Sequence, residues 1–134
     1  MMIHVIGYLT ALGFFVLADM AWLGVMVKRV YRPAMGDIAL ADANIAAAVA
    51  FYLLYPVGLM IFAILPAVKS GGAATALWHG ALFGFFTYAT YDLTNLATLR
   101  NWTTSLTLVD MAWGTVLAAC TAAVSHWVMH RFGG

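Results

Sequence analysis

Long apolar stretches dominate the chain, and short polar breaks cut them into four: about 3–27, 44–65, 73–98 and 104–129. Each reaches the roughly 20 apolar residues that a helix needs to cross the hydrocarbon core. The strict alternation of a membrane β-barrel is missing, so internally hydrogen-bonded helices are the expected spanning form. The predicted fold is therefore all-α, one domain over residues 1–134 formed by a bundle of four transmembrane helices.

The breaks have local causes. "KRVYRPAMGDIALADAN" gathers three basic residues, a proline, a glycine and two acids, as a surface loop does. Pro33 can start a short interfacial helix there, and Asp42 or Asn44 can cap the second span. Pro66 and "KSGG" are expected to end that span, while "RNWTTS" separates the third from the fourth. Trp102 in that last break is expected at the interface, as an anchor. The N-terminal run has no basic segment before it and continues past signal-peptide length, so it reads as a retained span.

Composition agrees with this reading. The 134 residues are 65% hydrophobic and 8% charged, where soluble domains carry about 25% charged residues. Most of the surface must then face the lipid bilayer. A formal net charge of +1 gives no basis for nucleic-acid binding. Lys28, Arg29, Arg32 and Arg100 lie on one side of the predicted bundle, against Lys69 and Arg131 on the other. The positive-inside rule then puts both termini outside the cytoplasm of a bacterial inner (cytoplasmic) membrane. Cys120, the single cysteine, lies in an apolar run and is expected to pack.

The polar residues inside the spans carry the candidate chemistry. Asp19, Asp92 and Asp110 lie on three different helices, about 9–12 Å below the same membrane face at 1.5 Å rise per residue. Three of the five acids thus share one layer. On the first span Tyr8, Leu12, Phe15, Asp19, Trp22 and Met26 form a stripe; on the third, Phe85, Tyr88, Asp92, Asn95 and Leu99 do. Trp113, Gly114 and Leu117 join Asp110 on the fourth. Tyr52 and Tyr55 reach the layer from the second span, where Pro56 removes the amide that would bond the Tyr52 carbonyl. These positions predict a polar room walled by Tyr and Trp and opening to the cytoplasm, with the Asn95 amide donating to Asp92.

Asp110 could simply cap its helix. Asp19 and Asp92 lie near helix C-termini, where the macrodipole disfavours negative charge. Intramembrane carboxylates facing a bundle interior mark function by default. No Lys or Arg within the spans offsets them, so the layer is expected to hold protons at neutral pH. Such a site suits a proton, a small cation or a small amphiphilic ligand, in binding or proton-linked transport. Acid/base chemistry on a lipid, or a helper role in a larger complex, are the competing readings.

Other signals are weaker. His4, His79, His126 and His130 fall near the outer face, where interfacial histidines are ordinary. Paired on facing helices they could ligate a b-type haem or a metal, but no carboxylate near that face supports them, and no cofactor and no metal site is predicted. "DMAW" occurs twice without the placement that an inverted repeat requires. Gly80 and Gly84 form a GxxxG that allows close packing within the bundle, or a homodimer. Walker, zinc-motif and nucleotide fingerprints are missing.

Five stretches, "DMAWLG" at 19–24, "FYLLYPVGL" at 51–59, "GALFG" at 80–84, "YATYDLTNLATL" at 88–99 and "DMAWG" at 110–114, carry a wider likeness. Together they resemble the bacterial membrane family catalogued as domain of unknown function 2177, over nearly the whole chain. The resemblance implies a four-helix inner-membrane protein and no particular activity. Asp19, Trp22, Tyr52, Tyr55, Tyr88, Asp92, Asn95, Asp110 and Trp113 match its pattern, and the histidines do not.

Overall fold

The computed structural model describes residues 2–26 and 44–133, and the basic loop with Pro33 and Asp42 lies outside the described residues. Four helices make up the described chain: α1 (Met2–Met26), α2 (Ile45–Ser70), α3 (Ala73–Thr98) and α4 (Thr104–Gly133). Among the described residues α1, α2 and α4 are long and apolar enough to cross a membrane. The 26-residue α3 carries the polar YDLTN block and pairs most extensively with α4.

Asn44 caps α2, its side chain accepting from the Ala47 amide at 3.1 Å. Pro66 does not end this helix as the sequence suggested. One π-helical turn, Met60–Ile64, precedes it, with the Leu65 amide bonding back to the Met60 carbonyl. The wider turn lets Pro66 enter in the first turn of a renewed α-helix, where a missing amide costs little. The end comes at the glycines: the Gly71 and Gly72 amides both return to the Ala67 carbonyl, and Gly72 adopts φ +92°. Between α3 and α4, Asn101 is left-handed at φ 69°, and the Thr103 hydroxyl accepts from the Leu106 amide at 3.0 Å.

Small residues bring α3 and α4 together. A Cβ on Gly80 would meet the Ala118 carbonyl oxygen at 2.8 Å, and one on Gly84 the Gly114 oxygen at 2.3 Å. The GxxxG glycines are buried in this contact within the chain. At the far end the Ser125 hydroxyl donates to the Gly7 carbonyl at 2.7 Å, tying α1 to α4. The apolar core includes Phe15, Leu59, Ile64, Leu117 and Ala118.

Helix faces follow the predicted stripes with some rotation. Of the predicted α1 stripe Phe15 and Asp19 are buried and Tyr8, Leu12, Trp22 and Met26 half-buried, the buried line running Gly7, Ala11, Phe15, Asp19. On α3 the buried line runs Ala76, Gly80, Gly84, Asp92, so Phe85 and Leu99 face outward and are not part of the room. Close approach of α4 is possible only along the glycine line, and that sets the rotation of α3. Cys120 is exposed, on the outer side of α4. Trp102 is buried, donating to the Thr107 hydroxyl at 3.1 Å and packing with Leu106. Its indole N–H is thus satisfied within the protein, as a buried tryptophan requires.

Candidate functional site

Asp19, Asp92 and Asp110 are all buried, with Asp92 at 0% exposure. Their surroundings differ in kind. Around Asp19 each oxygen has a donor: the Tyr52 hydroxyl reaches Oδ2 at 2.5 Å and the Trp113 indole N–H reaches Oδ1 at 3.0 Å. Three helices, α1, α2 and α4, thus meet on one carboxyl. Trp113 is steadied by Trp22, which lies parallel to it at 4.4 Å with 4° between the planes. Side chains on α1 and α4 lean towards their own N-termini, which lets these two rings meet across antiparallel helices.

Asp92 has the opposite environment. No N–H or O–H donor among the described residues reaches either of its oxygens. What it faces is the Asp110 carboxyl, close enough for a hydrogen bond once a proton lies between them. Ionised carboxylates only accept, so the pair has no bond until one member is protonated. The Asn95 amide does not supply this donor, contrary to the sequence reading. It interacts with the Tyr91 hydroxyl one turn back.

The aromatic wall joins the two halves. Tyr55 stacks on Phe15 at 4.8 Å, and its hydroxyl shares a 2.9 Å hydrogen bond with that of Thr87. Tyr88 stands edge-on to Tyr55 at 6.2 Å. Its ring lies over Gly114, where an added Cβ would come within 2.1 Å of Tyr88 Cγ. From there its hydroxyl is within electrostatic reach of Asp19, Tyr55, Asp110 and Tyr52.

All nine sequence-predicted positions therefore lie at or beside this layer, with Asn95 at its edge. Sequence reasoning missed Thr87, whose only signal is its place one residue before Tyr88 on α3. Tyr8, placed on the α1 stripe by the sequence, has a partner that the sequence did not name: its hydroxyl donates to the Leu53 carbonyl at 2.8 Å. That carbonyl neighbours the Tyr52 carbonyl left without an amide by Pro56. An open room is not what forms: Asp19 is 7% exposed, and the Trp22–Trp113 stack and Trp102 lie towards the α3–α4 turn. A separate recess of about 280 Å³, lined by Phe62, His79, Leu82, Phe83, Phe86 and Thr87, lies on the α2–α3 side. His126 and His130 stack at 6.3 Å one turn apart on α4.

A family model described as "Predicted membrane protein (DUF2177)" matches residues 4–127. The chain belongs to this family. Neither a curated protein nor a solved structure matches it. The match takes in every residue of the Asp layer, so the layer in this DUF2177 protein lies wholly within the family's span.

Proposed function

We propose that this DUF2177 protein is a small proton-linked binding or transport protein of the bacterial inner membrane, with Asp92 and Asp110 holding the exchangeable proton. One observation carries the reading: a wholly buried carboxyl whose near neighbour is a second carboxyl. Burying an unpaired charge is costly, and a proton held by Asp92 and donated to Asp110 removes that cost. Asp19, with both oxygens accepting, is the layer's third acid and stands apart from this pair.

The topology completes the proposal. All four helices cross, because α3 at 26 residues matches the thickness spanned by the α4 it lies against. Both termini are then extracytoplasmic, and the site opens to the cytoplasm when the Trp22–Trp113 stack parts.

Infrared difference spectroscopy over a pH series tests the chemistry. A protonated-carboxyl band that disappears in Asp92→Asn is the expected result. Reconstituted vesicles carrying an entrapped pH dye should show proton movement that Asp92→Asn abolishes. A band unchanged by Asp92→Asn would overturn the assignment.

A further inference from the structure

The recess of about 280 Å³ between α2 and α3, away from the Asp layer, has a built floor and an open side. Phe83 forms the floor, sunk against α2 where Gly58 has no side chain: a Cβ there would meet Phe83 Cζ at 2.7 Å. The π-turn of α2 sets Phe62 beside it, the two rings 5.8 Å apart and 18° from parallel. Phe62, Leu82 and Phe86 are exposed along the rim, so the recess is open on the side that meets hydrocarbon.

Its polar groups are few. The Thr87 hydroxyl is already engaged, by the Phe83 carbonyl and the Tyr55 hydroxyl. The His79 imidazole is half-buried and has no hydrogen bond among the described residues. At 1.5 Å rise per residue, His79 lies about 9 Å and Thr87 about 21 Å from the start of α3, a helix about 39 Å long. With roughly 30 Å of that length in the hydrocarbon core, His79 is about 5 Å inside the boundary and Thr87 near the bilayer centre. The recess is therefore one leaflet deep.

We propose that it binds one acyl chain of an anionic phospholipid, from the leaflet on the side of the α2–α3 turn, with the ester at His79. The inference rests on α3 crossing the membrane, and not on the proton chemistry of Asp92. An acyl chain is the occupant because the recess runs from the boundary to the midplane between aromatic and aliphatic walls. Leaning towards the helix N-terminus, the imidazole can donate to an ester carbonyl at the boundary. Lys69, exposed in the last turn of α2 next to the same turn, supplies the charge for the phosphate. A chain seated there lies on Phe83, whose ring centroid is 5.2 Å from that of Tyr55 in the wall of the Asp layer.

Phosphatidylglycerol carrying a diazirine midway along one chain is the probe, used in vesicles holding the protein, with cross-linked residues read by peptide mass spectrometry. Label is expected at Leu82 and Phe86 severalfold above Leu93, Leu108 and Val116, which are equally open to lipid. Unlabelled phosphatidylglycerol should compete that excess away better than phosphatidylcholine does, an advantage that His79→Ala and Lys69→Ala should reduce. Leu82→Trp, which fills the recess, should lower the label at Phe86 severalfold. Even labelling of all the exposed apolar residues in the parent protein would overturn the site, and equal competition by both lipids would overturn the anionic headgroup. Asp92→Asn leaves the recess untouched, so the label should survive it whatever becomes of the proton site. Ser70 and Asn101 cysteines accessible from one side only would instead overturn the crossing of α3.

Discussion

The Tyr52 hydroxyl and Asp19 Oδ2 meet at 2.5 Å, joining α1 to α2 through side chains 33 positions apart in sequence. Removing one partner of a buried bond to a carboxyl leaves an acceptor unsatisfied, which costs more than the net value of the bond. Tyr52→Phe is therefore expected to lower stability in detergent by about 1–2 kcal/mol. Tyr8→Phe, which frees only a backbone carbonyl, should cost about 0.6 kcal/mol, the ordinary value for an intramembrane hydrogen bond. Denaturation followed by helical signal measures both, and equal losses would show that Asp19 is not a special acceptor.

Gly84 and Gly13 offer a contrast in packing. A methyl group at Gly84 collides with the backbone of α4, which cannot rotate away, while one at Gly13 meets nothing within 4 Å. Gly84→Ala is expected to destabilise by about 1–3 kcal/mol. Gly13→Ala is expected to be neutral or to stabilise by up to about 1 kcal/mol through helix propensity. Thermal unfolding of the two variants side by side checks the α3–α4 contact.

The crossing by α3 has a direct test. Ser70 and Asn101 are exposed at its two ends. Single cysteines there, in a Cys120→Ala background, should label with a membrane-impermeant thiol reagent from opposite sides of the membrane. Labelling of both from one side would mean that α3 does not span.

Carbodiimides modify protonated carboxyls in apolar surroundings, which suits Asp92 as proposed. Dicyclohexylcarbodiimide is expected to attach at Asp92, read by peptide mass spectrometry, and to react faster in Trp22→Ala because that change removes half of the stack with Trp113. Modification confined to other carboxyls would count against a proton on Asp92.

The residues themselves determined the number of helices and most of their ends, since apolar runs and turn chemistry act locally. Span three was read as 73–98, and α3 is Ala73–Thr98. That Asp92 and Asp110 come to one level, and Asp19 level with Trp113, was equally legible, because it depends only on rise per residue and the ends of the runs. Which neighbour each acid meets depends on helix rotation, and rotation is decided between helices. The glycine line of α3 had to face α4, which turned Phe85 and Leu99 outward and aimed Asp92 at Asp110. In α2 the π-turn carried the helix past Pro66, because a register shift at Met60–Ile64 relieved the constraint that proline imposes. Donors likewise came from elsewhere in the fold: Tyr52 and Trp113 converge on Asp19 from two other helices, while Asn95, one turn from Asp92, interacts with Tyr91. Periodicity places a polar side chain at a depth and on a face, but only the packing of one helix against another supplies the group across from it.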